Sequence, residues 1–266
     1  MIRKPVVAGM FYENDFKRLN KQIEECFKGV KEANEKVKAI ISPHAGYAFS
    51  GKAAAHSFSN LPIADTYVVI GLSHQGYFNC KSLADFETPL GVLKNDQYFT
   101  QELKLDVNET AHKQEHSIEV QLPFLQHVHP EARIVPILVS DHKGIAEEIV
   151  RVCKEIKRKI ILIASSDFTH YGPNYDYVPF RDFVKKNLYE LDKKAIEYIL
   201  DLDKKGFRDY LNRTGATVCG KEPVSVLLDH AKLAGIKKAR LLDYYTSGDV
   251  INDYTNAVGY ASIVFE

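Results

Sequence analysis

The amino-acid sequence predicts an α/β protein, a single three-layer α/β/α domain with a mostly parallel, partly mixed central sheet. Short apolar segments alternate with longer segments of helical periodicity along the 266 residues, a pattern typical of a parallel sheet between helical layers. Some of these apolar segments, such as Ile160–Ala164, contain no polar position, as expected for strands covered on both faces. No internal repeat and no Pro/Gly/Ser-rich linker interrupts the chain, so we expect one domain over residues 1–266.

The first predicted elements are a helix and a strand. Apolar residues at helical spacing predict an amphipathic helix over Phe16–Lys28, with Asn14 or Asp15 as its N-cap. The polar segment 28–36 then leads into the apolar strand Val37–Ile41.

A second helix, a strand and a hairpin follow. A run of alanines predicts a helix over Gly51–Asn60, and the next apolar run predicts the strand Thr66–Leu72. Ser82–Phe86 and Leu90–Leu93 flank Thr88-Pro89 and are typical of a β-hairpin.

The rest of the chain continues the alternation of helices and strands. Glu115–His129 has helical periodicity, and Pro123 predicts a kink or a new start within it. The elements predicted after it are strand Arg133–Val139, helix Gly144–Lys157, strand Ile160–Ala164, helix Arg181–Leu200, helix Lys221–Ala234, and strands Arg240–Tyr244 and Ala257–Phe265.

The charge composition argues against two classes of function. The chain has 35 Lys+Arg and 35 Asp+Glu residues, so it lacks the basic field of a general nucleic-acid or membrane-surface binder. Its apolar runs are too short to span a bilayer, and the N-terminus has no sustained apolar signal region. Four cysteines without CxxC spacing are typical of reduced thiols. We therefore expect a cytoplasmic protein with no nucleic-acid or membrane partner.

Three predicted strands each lead into small polar residues followed by histidine or aspartate. The first leads into His44, the second into His74, and the third into Asp167 and His170. Ligands of open α/β sheets bind at the carboxyl ends of the strands. His44 and His74 lie 30 residues apart, about one βαβ unit, so we expect them on neighbouring strands ~4.8 Å apart. Two imidazoles at that spacing can bind one metal ion.

Each of these residues also has an ordinary interpretation. A single histidine is more often a cap, a surface group or a hydrogen-bonded core residue than a ligand. Asp167 and His170 also fit a helix cap with a histidine that closes the turn. Six other histidines lie in helix-like or plainly polar settings and are assigned to ordinary roles: His56, His112, His127, His129, His142 and His230.

The segment that begins at Glu115 carries a second polar cluster. On a helix, Glu115 and Glu119 share a face, and His116 neighbours Glu119. One interpretation is a solvated acidic helix start. The other is a set of carboxylates that orients a catalytic imidazole.

One of the four cysteines stands apart. Cys219 lies between a helical stretch and the helix predicted from Lys221, where a helix N-terminus would lower the pKa of a thiol. The alternative is a small buried apolar residue. Cys26 and Cys153 fit the apolar faces of their helices and are expected in the core. The position of Cys80, in a predicted loop, indicates no particular role.

Six motifs in this order resemble those of the MEMO family, also called AmmeMemoRadiSam system protein B. They are RKPVVAGMFY, ISPHAGYAFSG, GLSHQG, EHSIEVQLPFL, SSDFTHYG and TVCG, and they span nearly the whole chain. The resemblance implies a fold similar to the class III extradiol, LigB-like dioxygenases. Those enzymes bind non-haem Fe(II) through two histidines and a carboxylate, and a separate histidine acts as acid and base.

The resemblance implies roles for individual residues. His44 and His74 look like the two imidazole ligands, and Cys219 resembles the position of the ligating carboxylate. His170, with Asp167 beside it, resembles the acid–base histidine. The other candidates are His116 as a catalytic residue and Tyr47, Ser73, Glu115 and Glu119 as substrate-binding residues.

Three functions follow as hypotheses. The first is a metal-dependent protein of dioxygenase ancestry; Fe(II) is the expected ion, with copper or zinc as alternatives because a thiolate is a softer ligand. The second is a binding module without a metal, since animal members of the family resemble adaptors that bind phosphotyrosine peptides. The third is a Cys–His enzyme with Cys219 as nucleophile and His170 or His74 as base.

The expected partners are a small molecule or a peptide in the cleft. The family's second name reflects neighbours that include a radical S-adenosylmethionine protein, which implies a shared pathway.

Overall fold

The computed structural model describes residues 1–30 and 36–266. The middle of the polar segment predicted over 28–36 lies outside the described residues. The strands of the described chain are β1 (Ile2–Arg3), β2 (Ala39–Ser42), β3 (Thr66–Leu72), β4 (Cys80–Lys81), β5 (Asp85–Thr88), β6 (Gly91–Asn95), β7 (Asp106–Val107), β8 (Arg133–Val139), β9 (Ile160–Ser165), β10 (His170–Tyr171), β11 (Ala239–Thr246) and β12 (Ala257–Phe265). The α-helices are α1 (Phe16–Phe27), α2 (Tyr47–Phe58), α3 (Gln97–Glu102), α4 (Glu109–Lys113), α5 (Leu122–Val128), α6 (Ile145–Ile156), α7 (Val184–Leu200), α8 (Lys204–Thr214), α9 (Lys221–Leu233) and α10 (Ser247–Ile251).

The sheet is parallel at its centre and mixed at both sides, which confirms the predicted α/β class. Strands β6, β8, β3, β9 and β2 lie side by side in that order and are parallel. On one side, β12 pairs antiparallel with β2, and β11 with β12. On the other side, β5 pairs antiparallel with β6 as the predicted hairpin, with bounds shifted by a few residues.

Successive residues of the central strands pack into two different cores, one on each face of the sheet. In β9, Leu162 and Ala164 join the core that includes α6 and α9, whereas Ile161 and Ile163 join the core that includes α1 and α5. All four side chains are at most 1% exposed. A strand with helices on both faces must be apolar at every position, which explains the unbroken apolar run in the sequence.

The helix starts follow local chemistry where the sequence provides a cap. The side chain of Asp15 accepts a hydrogen bond from Arg18 N and is the N-cap of α1. Helix α2 begins at Tyr47, four residues before the predicted start, and α7 begins at Val184, three residues after it. Helix α8 was missed because its Lys/Asp/Arg-rich sequence carries few apolar positions.

The predicted helix Glu115–His129 is wrong over its first part. Residues 115–118 are irregular, Glu119–Gln121 form one 3₁₀ turn, and α5 begins only at Leu122. Pro123 lies in the first turn of α5, where its missing N–H leaves no hydrogen bond unmade. Glu115 and Glu119 therefore do not share a helix face.

The expectation that His44 and His74 follow neighbouring strands is also wrong. Strand β9 lies between β2, which precedes His44, and β3, which precedes His74. Two strand spacings of ~4.8 Å therefore separate these strands. As a consequence, the turn after β9, which contains Asp167, emerges between the two histidines.

No helix within residues 1–30 and 36–266 is both long and apolar enough to cross a membrane.

Candidate functional site

A cleft of about 450 Å³ opens at the carboxyl edge of the parallel strands. The polar residues of its wall are His44, His74, His116, Asp167, His170, Ser247 and Asn256. The apolar, aromatic and glycine residues are Met10, Phe11, Ala45, Gly46, Phe49, Tyr175, Ile251, Val258 and Tyr260. The position agrees with the rule that open α/β sheets bind ligands where their strands end.

His44 is a buried residue of the cleft wall. Its side chain is 3% exposed, and its backbone N–H donates to Asp167 Oδ1 at 2.8 Å. Its Nε2 lies 3.3 Å from Cys219 Sγ and 4.0 Å from Asp167 Oδ2. Burial, reinforced by the nearby His74, lowers the pKa of His44 to about 3. The imidazole is therefore neutral near pH 7, the form that binds metals.

Cys219 meets His44 from the loop before α9. Asp167 N donates to its Sγ at 3.3 Å. Contrary to the expectation from the helix N-terminus, burial and the adjacent Asp167 carboxylate raise the pKa of this thiol well above its usual value. A cation bound here would reverse that effect, since a coordinating thiol is deprotonated.

The approach of Cys219 depends on the glycine that follows it. A Cβ on Gly220 would lie 2.2 Å from Ser166 Oγ and 2.6 Å from Ser166 Cα. Only glycine lets the start of α9 come this close to the turn after β9.

The buried carboxylate of Glu115 orients His74. Glu115 Oε1 lies 2.8 Å from His74 Nδ1, and Oε2 accepts from His74 N at 2.8 Å. Burial opposes ionisation of Glu115, but the hydrogen bond and charge of His74 and the N–H of Ser117 lower its pKa to about 2. An ionised carboxylate only accepts hydrogen bonds, so His74 Nδ1 is the donor in this contact and the ring is held in one orientation.

His116 completes a cluster of three imidazoles. Its ring stacks on that of His74 at a centroid distance of 4.5 Å and meets the ring of His44 edge-on at 5.7 Å. Burial, followed by the effect of the two other histidines, lowers the pKa of His116 to about 4. The lowered pKa values of His44 and His116 leave these two rings neutral near pH 7, so they pack without charge repulsion between them.

Two groups of ligand-type atoms share His44. In each group the atoms lie within 4.8 Å of one another: one comprises His44, His74 and His116, the other His44, Asp167 and Cys219. Two atoms that bind one ion at ~2.0–2.3 Å lie at most ~4.6 Å apart. The 4.8 Å within which the atoms of each group lie is close to this upper bound, so each group could hold a metal ion after a small movement of its side chains. The predicted set of His44, His74 and Cys219 is divided between the two groups.

His170 and Asp167 both line the cleft, but they are not hydrogen-bonded to each other. His170 Nδ1 lies 3.1 Å from the carbonyl oxygen of Phe168 and 3.2 Å from that of Thr217. These carbonyls orient the ring, and Asp167, although only three residues away in the sequence, does not. The Asp167 carboxylate instead accepts from the backbone of His44.

None of the four predicted substrate-binding residues lines this cleft. Tyr47 is 3% exposed and donates to Val120 O, and Ser73 Oγ accepts from Tyr77 N. Glu115 hydrogen-bonds to His74, so one of the two carboxylates of its cluster does orient an imidazole.

Glu119 is fully buried away from the cleft. It pairs with Arg3 and accepts from Val6 N, Val7 N and Tyr12 Oη. This carboxylate anchors the N-terminal segment, which brings Phe11 to the cleft. The correction follows from the irregular backbone at 115–118, which turns the two carboxylates in different directions.

One of the six histidines assigned to ordinary roles belongs to another polar cluster. His142 Nδ1 lies 2.9 Å from Glu222, and Asp141 completes a third group of ligand-type atoms. Arg208 also pairs with Glu222, so that carboxylate already has a cation. This group lies outside the cleft lining.

Several residues of the cleft were not predicted as site residues. Part of the cleft wall is aromatic and consists of Phe11, Phe49, Tyr175 and Tyr260. Phe11 and Phe49 lie in the motifs RKPVVAGMFY and ISPHAGYAFSG, so the motifs themselves carried a signal. Tyr175 lies in the apolar, tyrosine-rich segment Tyr171–Phe180, whose composition is typical of a contact surface or a cleft wall. Tyr260 reaches the cleft through tertiary packing and had no such signal.

The fold and the cleft define an α/β/α protein in which histidine, cysteine and carboxylate side chains lie close enough together to hold a metal ion at the carboxyl edge of the sheet. The model of the family described as Memo-like protein matches residues 3–264. The chain therefore belongs to the Memo-like family.

Archaeal relatives agree with this assignment over their full lengths. A MEMO1 family protein of Methanosarcina barkeri is 40% identical, with 100% of both chains covered. MEMO1 family proteins of Methanopyrus kandleri and Methanocaldococcus jannaschii are 38% and 37% identical, each with 100% of this chain and 99% of the relative covered.

Proposed function

We propose that the cleft holds one transition-metal ion and that the protein acts through it as an oxidoreductase of the non-haem iron type. Fe(II) is the first candidate, with copper or zinc as alternatives. The proposed ligands are His44, His74 and Cys219. The observation that carries the proposal is the 3.3 Å approach of His44 Nε2 to Cys219 Sγ, beside a His74 imidazole that Glu115 orients for binding.

The side chains around the cleft have separate tasks in this proposal. A bound ion would supply Lewis acidity and one-electron chemistry. His170 donates its Nδ1 proton to backbone carbonyls, so its Nε2 is free to take a proton from a substrate in the cleft. Asp167 holds the backbone of His44, and the aromatic residues provide an apolar wall for a small organic substrate.

The alternative of a metal-free phosphotyrosine-binding module is less well supported. Within the described residues, the cleft is lined by no lysine or arginine. The lowered pKa values of His44 and His116 leave both imidazoles neutral near pH 7. A phosphate dianion would therefore meet no lysine or arginine, and neither His44 nor His116 would offer it a cation in exchange for its hydration.

The Cys–His enzyme is the second candidate, because Cys219 has a histidine within reach. The contact is with His44, and not with His170 or His74 as the sequence had led us to expect. The raised pKa of the thiol opposes this function, since the thiolate is the nucleophile. Labelling of Cys219 by iodoacetamide at pH 7 after chelation supports this candidate if it is rapid and requires His44.

Anaerobic metal titration tests the proposal. We expect one Fe(II) per chain, and a loss of affinity of more than ~100-fold in His44→Ala and in Cys219→Ala, because removal of an outer partner alone costs ~10–100-fold. His142→Ala is the matched control, since it alters a histidine–carboxylate group outside the cleft. Unchanged affinity in both cleft variants would overturn the proposal.

We also propose a cytoplasmic location. The four cysteines are free in the structure, as is usual in a reducing compartment.

A further inference from the structure

We infer that Ser165 is a positioning residue that holds His44 in the tautomer with its proton on Nδ1, so that the Nε2 lone pair faces Cys219. Ser165 is fully buried at the end of β9. Its Oγ lies 2.9 Å from His44 Nδ1. The inference extends the proposed metal site but concerns the protonation of this chain's own residues.

The first step is the orientation of the Gln121 side chain. Its Nε2 donates to Pro43 O at 2.9 Å and to Ser165 Oγ at 2.9 Å. If the amide were rotated, Oε1 would face the Pro43 carbonyl, and two acceptors would repel each other. Gln121 therefore presents an N–H to Ser165, and one lone pair of Oγ is used.

The second step locates the hydroxyl proton of Ser165. Ser165 Oγ also lies 2.6 Å from the carbonyl oxygen of Ser117. A carbonyl can only accept, so the single proton of the hydroxyl must point to Ser117.

The remaining contact of the Ser165 hydroxyl is with His44 Nδ1. A hydroxyl has one proton and two lone pairs. The proton goes to Ser117 and one lone pair accepts from Gln121, so only a lone pair is left for His44. His44 Nδ1 must then be the donor, and in the neutral ring Nε2 is unprotonated. Outer-shell partners of this kind typically account for ~10–100-fold in metal affinity.

Ser42 offers a matched control one strand away. It lies directly opposite Ser165 in the β2–β9 register, and both residues are fully buried. Ser42 Oγ has no hydrogen-bond partner. Ser42→Ala and Ser165→Ala thus remove the same atom from neighbouring positions, but only the second removes the acceptor of His44.

The test is ¹⁵N NMR of the imidazole nitrogens in the metal-free full-length protein. We expect His44 to be protonated on Nδ1 in the wild type and in Ser42→Ala, and to shift towards Nε2 protonation in Ser165→Ala. A parallel Fe(II) titration should show affinity ~10–100-fold weaker in Ser165→Ala and little changed in Ser42→Ala.

Two outcomes would overturn the inference. One is a wild-type His44 protonated on Nε2, a result that does not require any variant to fold. The other is a folded Ser165→Ala protein with the wild-type tautomer. Because the tautomer is measured without metal, the inference can fail while the metal site stands, or hold while the metal site fails.

Discussion

His44 is the residue at which the two cleft ligand groups meet. Its Nε2 approaches Cys219 and Asp167, and its ring contacts those of His74 and His116. For a buried neutral imidazole to bind a metal ion here, a hydrogen-bond partner must hold its proton on one ring nitrogen and leave the lone pair of the other nitrogen facing the site. The Asp167 carboxylate holds the backbone of His44, and Ser165 contacts its Nδ1.

Glu115→Gln is expected to weaken Fe(II) binding by ~10–100-fold. The amide cannot accept from both His74 Nδ1 and His74 N, as the carboxylate does through its two oxygens. Chelator competition measures the loss. Glu109→Gln is the control, because Glu109 likewise accepts from a hydroxyl and a backbone N–H, those of Ser82 and Leu83, outside the cleft. Equal affinities in the two variants would contradict the orienting role.

His230→Gln is expected to flatten the acid dependence of stability. Burial, followed by the charge of Lys38, lowers the pKa of His230 to about 4, against 6.5 in a solvated chain. Between pH 6.5 and 4 the unfolded chain binds the proton and the native chain does not. This histidine therefore contributes stability above pH 6.5 that is lost on acidification, at ~1.4 kcal/mol per pH unit. Urea unfolding at a series of pH values measures the free energy of unfolding. If this free energy fell equally with acidification in the wild type and in the variant, the lowered pKa of His230 would be refuted.

Residue types and motifs identified much of the cleft in advance. His44, His74, His116, Asp167 and His170 all lie in its wall. What residue types could not predict was the direction of each side chain. Glu119 and Tyr47 were predicted to bind substrate because of the motifs that contain them. Their polar atoms instead form hydrogen bonds with Tyr12 and with the carbonyl oxygen of Val120, inside the protein.

At the scale of elements, the site is built from turns that converge because of strand order. The turns after β2, β9 and β3 bring His44, Asp167 and His74 to one edge. The loop before α9 adds Cys219. Local periodicity predicted these strands, but their order depends on crossovers that no local pattern encodes. The same limitation affected Glu115–His129, where tertiary contacts of the two carboxylates replaced the helical turns.

Gly220→Ala is expected to separate Cys219 from His44. The added Cβ meets Ser166 at 2.2 Å, so the start of α9 must shift, at a cost of ~1–3 kcal/mol in stability. Gly206→Ala is the matched control, because Gly206 lies in α8, away from the cleft, and its Cβ would lie 2.2 Å from Oδ2 of the N-cap residue Asp203. Metal affinity should fall in Gly220→Ala alone. A similar fall in both variants would show that lost stability, and not the position of Cys219, controls binding.

At the scale of the whole molecule, basic and acidic residues are equal in number. With 35 basic and 35 acidic residues, the chain has no net field with which to attract a charged partner. This balance favours binding through short-range contacts with the histidine, aspartate and aromatic side chains of the cleft. The α/β class followed directly from composition and periodicity. The assignment to the Memo-like family rests on motifs distributed over nearly the whole chain.

The central claim is that a metal ion binds between His44 and Cys219. The most direct measurement is anomalous X-ray diffraction at the iron edge from crystals grown anaerobically with Fe(II). We predict one peak in the cleft, within bonding distance of His44 Nε2 and Cys219 Sγ. The group of Asp141, His142 and Glu222 serves as an internal comparison in the same crystal. A cleft without a peak, or iron bound only at that other group, would contradict the claim.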